Sequence, residues 1–429
     1  MRYGFAVDIG TTNIEISLWD LACDEASVPS ATSGVISVCG APSNLCATST
    51  VLRAVPLKTK IVRNCLCYYG ADVVSRILYA HYNGVEVLQK KLVAQLKDEF
   101  DDMLREVNDC ETEGDLRAER AVFTGNTVML HFLSGLSVSG FEKAPFTPVS
   151  LFGGAEPAAS ALASLADEVI IPPCISAFLG ADIVCASLAA ENAVSCGFAP
   201  GSASGAEELL AVAGSAREAH NEPYIVIDIG TNTEILLVGA DGRKTACSAA
   251  AGPAFEGGGL SVEMKGSALV AELAHMLDEG LMDETGYIAE TTDDTSRGNN
   301  ADERRTTLNQ QDVRQLQLAK GATAAAAETL LRSVGVEAAG IKKCFICGNF
   351  GNALDLEAVE KTGLLPAALT KNAVYFGNAA LRGAELILLS KTAALHEASE
   401  IAAKTSVVQL ADSAFFAEKY IQRMNFVAF

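Results

Sequence analysis

Residues 3–17 read YGFAVDIGTTNIEIS, and 220 positions later residues 224–237 read YIVIDIGTNTEILL. In each copy an apolar run ends in an aspartate, Asp8 or Asp228, turns through glycine and hydroxyl residues, and resumes as an apolar strand. Each copy predicts a β-hairpin. A repeat at this distance bears on the whole architecture, so the rest of the chain is arranged around it.

The tips of these hairpins carry a definite chemistry. Main-chain N–H groups approach a polyphosphate closely only where no side chain intervenes, which is the use of Gly10 and Gly230. The hydroxyls of Thr11, Thr12, Thr231 and Thr233 and the amide of Asn232 add further donors. Asp8 and Asp228 stand where a carboxylate holds Mg2+ through water, because that ion keeps much of its hydration shell. One such turn is an ordinary tight turn as readily as a phosphate loop. Two copies, each after a strand of buried type, favour the phosphate loop.

The chain has 429 residues, 49% of them apolar and 20% charged, which fits two or three globular domains. It has no apolar run of about 18 residues for a membrane span, and the first strand starts at once, leaving no room for a signal peptide. A cytoplasmic protein is expected. The net charge of -21, with no basic stretch, excludes nucleic acid as a partner. Twelve scattered cysteines read as reduced core thiols. Cys65-x-Cys67 and Cys344-x-x-Cys347 are the close pairs, and a zinc ribbon would need a second C-x-x-C.

Local signals fill in the rest. Gly70 to Ile77 opens a helix, and Leu88, Leu92, Leu96, Phe100 and Leu104 recur every fourth residue on an amphipathic one. Ala121 to Phe123 leads through Thr124-Gly125-Asn126-Thr127 into a helix near Val128, a layout that sets polar groups at a sheet edge. His131 in that helix reads as a hydrogen-bonded core histidine rather than a ligand. Asp182, after Gly180, either reaches a phosphate or caps its own helix. Residues 193–222 form a linker, dividing a first lobe, 1–192, from a second, 223–429. In the second lobe SAAAGPAFEGGG (248–259) makes a loop of close backbone approach with Glu256 as a polar wall, and 283–311 is a polar surface excursion. Gly321 marks close packing in an Ala-rich helix, or a hinge. FICGNFGN (345–352) is a third glycine turn after a strand, where Gly348, Asn349, Gly351 and Asn352 would let a flat ring such as adenine lie on the backbone. A closing helix begins near Phe415.

Three glycine turns after strands, two of them duplicated, resemble the superfamily of acetate and sugar kinases, heat-shock chaperones and actin (ASKHA). The resemblance implies an α/β fold of the two-lobed, actin-like ATPase type: duplicated ribonuclease H-like domains that close on a nucleotide in an interlobe cleft. The ordered string DIGTT, GADVVSRI, TGNTVMLHFLSGL with PFTPV, DIGTNTEILL, AAGPAFEG, QLAKGA and GNFGNALD with GLLP is more narrowly similar to the ATP-dependent reductive activators of corrinoid proteins. That similarity runs over nearly the whole chain.

What the family implies is ATP binding and hydrolysis, with Mg2+, coupled to returning Co(II) corrinoid to Co(I) on a methyl-transfer protein. Asp8 and Asp228 would then orient metal-bound water, and Glu234 or Glu256 would position the attacking water. Gly10, Thr11 and Thr12 would hold one side of the phosphates, and Gly230, Thr231, Asn232 and Thr233 the other. Asn126, Gly348, Asn349, Gly351 and Asn352 complete the candidate nucleotide contacts. Family members commonly carry a ferredoxin-like domain before the first hairpin. Here no iron-sulfur cluster is expected in the chain, a separate donor such as ferredoxin is expected to supply electrons, and a homodimer is left open. Two alternatives share the lobes: a small-molecule kinase, and a dimeric activator of a radical dehydratase with a [4Fe-4S] cluster on Cys344 and Cys347.

Overall fold

The computed structural model describes residues 2–21, 55–108, 117–155, 161–195, 222–288, 307–348 and 354–429. They fall into two units, Met1–His220 with Asn378–Thr405, and Asn221–Gly377 with Ser406–Phe429. Most of the expected linker, from 196 to 221, lies outside the described residues.

In the first unit β1 (Tyr3–Ile9) and β2 (Asn13–Asp20) form the first hairpin, and β3 (Lys58–Arg63) pairs antiparallel with β2. Helices α1 (Val73–Asn83) and α2 (Val85–Asn108) lead to β4 (Ala118–Gly125), which lies parallel to β1. Then come α3 (Thr127–Ser134), β5 (Gly154–Ala155), β6 (Ala166–Ile171) and α4 (Ala181–Ser195). The sheet order is β3-β2-β1-β4-β6-β5. Side chains alternate across a strand, and β1 uses both faces. Phe5, Val7 and Ile9 join the core built with α2 and α3, where Phe5 stacks on Phe100 with ring centroids 3.8 Å apart. Gly4, Ala6 and Asp8 face the other way. On α3, His131 is a core residue: its Nδ1 lies 2.7 Å from Thr127 O and its Nε2 accepts from the Ser150 N–H at 3.3 Å. The PFTPV segment, 145–149, connects elements of this one sheet.

The second unit repeats the plan. β7 (Tyr224–Ile229) and β8 (Thr233–Val238) form its hairpin, with β9 (Lys244–Ala249) antiparallel beyond. α5 (Ser267–Asp278) and α6 (Gln310–Ser333) precede β10 (Lys343–Cys347), which runs parallel to β7. α7 (Leu356–Thr362) and α8 (Ala367–Thr370) then lead to β11 (Ala373–Gly377). The chain continues as α9 (Ala379–Ser390), α10 (Thr392–Lys404), β12 (Thr405–Val407) and the closing helix α11 (Ala414–Gln422). Five strands of the order β11-β10-β7-β8-β9-β12 repeat the first sheet, an antiparallel meander of three with two parallel strands beside its first; the sixth differs, β12 lying beyond the meander where β5 lies beyond the parallel strands. The fold is therefore of the duplicated α/β kind that the repeat implied. Gly321 on α6 serves close packing within this unit, where a Cβ would lie 3.2 Å from Tyr420 O. Beside it the buried Lys320 donates to Arg423 O at 2.6 Å and to Asn425 O, tying down the C-terminal segment.

One stretch departs from the expected boundaries. Residues 378–405, assigned from sequence to the second lobe, belong to the first unit. The reason is packing. Gly383 on α9 lets the helix backbone approach α4 so closely that a Cβ would overlap Cys185 O. Arg120 on β4 donates to Leu388 O at 2.9 Å, and Lys391 pairs with Glu168 at 2.8 Å. α9 also carries the buried Glu385, whose carboxyl is pushed up to about 7 by desolvation, against hydrogen bonds from Ser17 and Trp19.

Two outcomes follow from α9. Gly383→Ala should lower stability by about 1–3 kcal/mol in urea titration, although alanine is the better helix former, because overpacking against main chain outweighs propensity. An unchanged or raised midpoint would contradict the close approach. For Glu385 the folded protein binds a proton more tightly than the unfolded chain, so its contribution is intact below about pH 4.5 and is lost as pH rises toward about 7. Glu385→Gln should flatten that fall in stability between the two pH values, and parallel profiles for the two proteins would refute the assignment.

Candidate functional site

The first hairpin closes between Ile9 and Ile14, leaving a tip of Gly10, Thr11, Thr12 and Asn13. Just below, Asp8 and Glu15 stand directly opposite each other on β1 and β2. Two carboxylates so placed repel unless something compensates them. Asn378, the N-cap of α9, supplies part of it: its Nδ2 donates to Asp8 Oδ2 and to Glu15 Oε2, each at 2.9 Å, while its Oδ1 accepts from the Leu381 N–H at 2.8 Å. Burial raises the Glu15 carboxyl above the usual carboxylate range, against the Asn378 hydrogen bond and the charge of Arg382.

Two more elements of this unit reach the same sheet end. Gly125, at φ +147°, would place a Cβ 2.7 Å from Ile9 O, so β4 can end beside the tip only as glycine. Gly180 in turn lies against Gly125 and Asn126. Asn126 spends its side-chain oxygen on the Val128 N–H at 3.0 Å, capping α3. Asp182, in the first turn of α4 rather than before it, accepts from the N–H of its neighbour Ile183 at 2.8 Å. Desolvation pushes its carboxyl up to about 6.

The second hairpin is one residue shorter, closing between Ile229 and Thr233 around Gly230, Thr231 and Asn232. Asp228 and Glu234 again stand opposite each other. Glu234 is nearly buried, with the Ser248 hydroxyl 3.4 Å from its Oε1. The loop after β9 folds back on the tip: the Gly252 N–H donates to Thr231 O at 2.7 Å, and the Thr231 hydroxyl donates to Glu256 Oε2. Glu256 ends the short helix Pro253–Glu256, and Gly257 follows it in the left-handed region at φ +83°. Gly348, at φ +107°, occupies the place Gly125 has in the first unit. A Cβ there would overlap Ile229 O and lie 3.0 Å from Asp228 Oδ1.

Asp228, Gly230, Thr231, Asn232, Glu234, Glu256 and Gly348 therefore gather at one sheet end, and Asp8, Gly10, Thr11, Thr12 and Asn126 at the equivalent end of the other unit. Thr233 does not join them. It sits on β8, fully buried, with its hydroxyl 2.8 Å from that of Thr323 on α6, because the shorter loop returns it to the strand. Asn349, Gly351 and Asn352 lie outside the described residues. Cys344 and Cys347 are both buried in β10 three positions apart, hence on opposite faces of the strand, and do not form a ligand pair.

Sequence reasoning missed Glu15 and Asn378. Glu15 was findable from Glu234, had the different loop lengths been allowed for when the two hairpins were aligned. Among the described residues no group of three or more His, Cys, Asp or Glu is placed to hold a metal ion. The two Asp–Glu pairs fit Mg2+, which is commonly bound by one or two carboxylates and completes its shell with water and phosphate oxygens.

Comparison with known proteins agrees with this geometry. The family model described as the C-terminal domain of RACo, the ASKHA domain, matches residues 222–265 and 262–428, and that of the RACo middle region matches residues 50–193. RamQ of Eubacterium limosum, a corrinoid activation enzyme, is 25% identical over 480 residues, covering 99% of this chain and 70% of its own. A solved structure named as a reductive activator for corrinoid, iron-sulfur protein is 25% identical with a TM-score of 0.75, over 100% of this chain and 66% of that one. The chain thus spans about two thirds of the length of these relatives. It belongs to the RACo family, carrying that family's middle region followed by its C-terminal ASKHA domain.

Proposed function

We propose that this chain binds Mg-ATP, hydrolyses it, and uses the cycle to drive reduction of Co(II) to Co(I) on a corrinoid protein, one electron per cobalt coming from a separate donor such as a reduced ferredoxin. The observation that carries the reading is the hairpin built twice: a glycine and hydroxyl tip above a cross-strand Asp–Glu pair, on two sheets that share the order of five strands. The names of the relatives supply the corrinoid client.

In the second unit Gly230, Thr231 and Asn232 take phosphate oxygens, and Gly348 brings the end of β10 against Ile229 and Asp228 at the same sheet end. Asp8 and Asp228 are the residues that would hold Mg2+, which supplies charge neutralisation at the phosphates. Glu256, fixed by the Thr231 hydroxyl, orients water toward the terminal phosphorus and takes its proton as the bond to the bridging oxygen breaks, giving ADP and phosphate. Such a site acts mainly by placement and charge stabilisation. ATP can shift a client complex toward its electron-accepting state only as far as it binds that state more tightly than the other.

The test is an anaerobic spectral assay with ATP, a reductant and a Co(II) corrinoid protein. The intact protein should form Co(I) only when ATP is present, and Asp228→Ala should not. Reduction at the same rate without ATP would overturn the coupling, and label from the terminal phosphate appearing on a sugar or acid would turn the reading toward a kinase. Glu256→Gln, measured as phosphate released per protein, should lose about 100-fold or more of turnover while still binding ATP. Turnover at the level of the unaltered protein would remove Glu256 from its role.

A further inference from the structure

The tip of the first hairpin owes its shape to two side chains outside it. Asn64, just after β3, and Arg76, on α1, are both fully buried. Asn64 Nδ2 donates to Gly10 O at 2.8 Å, Arg76 Nη2 to Thr11 O at 2.7 Å, and the Asn64 N–H to Thr12 O at 2.9 Å. Three successive carbonyls are thus held by donors from one neighbourhood. In a trans peptide the N–H points opposite to the C=O of the same unit. Turning the carbonyls of Gly10 and Thr11 toward Asn64 and Arg76 therefore turns the N–H groups of Thr11 and Thr12 the other way. Consecutive N–H groups aimed to one side make an anion-binding concavity.

Both side chains are themselves fixed. Asn64 Oδ1 accepts from the Leu66 N–H at 2.9 Å, so its amide orientation is set. Arg76 Nε donates to Gly70 O at 3.0 Å, while Nη1 lies 3.4 Å from Met129 Sδ and Nη2 lies 3.5 Å from Cys67 Sγ. The guanidinium thus spends its hydrogen bonds on main-chain carbonyls and sulfur rather than on a carboxylate. Arginine stays charged in such surroundings, so a positive charge lies beneath the tip.

We propose that Arg76 and Asn64 are positioning residues for phosphate, turning the amides of Thr11 and Thr12 toward the anion, with the Arg76 charge beneath them. This rests on the ATP-binding reading above. The Arg76 contact comes from GADVVSRI, a segment otherwise without a part in that reading.

The test compares ATP with adenosine, by calorimetry, on the full chain and on Arg76→Lys and Asn64→Ser. A positioning role predicts that ATP affinity falls about tenfold or more while adenosine affinity holds. Folded variants that keep the unaltered ratio of the two affinities would overturn the proposal. Because both residues are buried, hydrogen exchange on the unaltered protein gives a second reading. Tripolyphosphate should slow exchange at the Thr11 and Thr12 amides, and unchanged exchange there overturns the proposal even if both variants fail to fold. ATP turnover without that protection would leave the proposed function standing and discard this inference, whereas protection without turnover would do the reverse.

Discussion

The structure turns on a pair of carboxylates held face to face across two antiparallel strands. Asp8 with Glu15, and Asp228 with Glu234, occupy directly opposed positions where like charges repel. A sheet keeps such a pair only if its surroundings compensate it. In the first unit Asn378 binds both acids from the start of α9, and Glu15 answers burial with a raised proton affinity. In the second unit Glu234 is nearly buried and has the Ser248 hydroxyl beside it. Beside each pair a glycine follows the neighbouring parallel strand, Gly125 and Gly348, where a Cβ would run into the carbonyl of Ile9 or Ile229.

How much of this was legible in the sequence depended on range. The hairpins, the helix carrying Leu88, Leu92 and Leu96, and the turn before α3 are local patterns, read from spacing alone. The interactions that shape the tips are not local. Asn378 meets Asp8 and Glu15 from more than 360 residues away, and Arg76 meets Thr11 from 65. No periodicity encodes such a meeting. The return of residues 378–405 to the first unit was hidden for the same reason, since it depends on a glycine, Gly383, that admits the backbone of α4. Thr233 failed as a tip residue through a smaller cause. The second loop has one residue fewer, and a strand's alternation then carries Thr233 into the core beside Thr323.

Duplication kept the order of five strands and the acid pair but not the chemistry around each tip. Under the first tip lie a guanidinium and an amide whose donors hold the loop carbonyls, which favours an anion above them. Beside the second lies a carboxylate, Glu256, fastened by the hydroxyl of Thr231. A negative group beside such a tip disfavours anion binding on Coulomb grounds, so under the proposed function Glu256 has another use, holding water and taking its proton. The lengths of the loops agree with this difference. The longer first loop exposes more peptide units to be oriented, and the shorter second one brings Thr231 to the glutamate. The two copies of one hairpin thus differ in what surrounds them: buried donors fix the carbonyls of the first tip, and a carboxylate is fastened to the second.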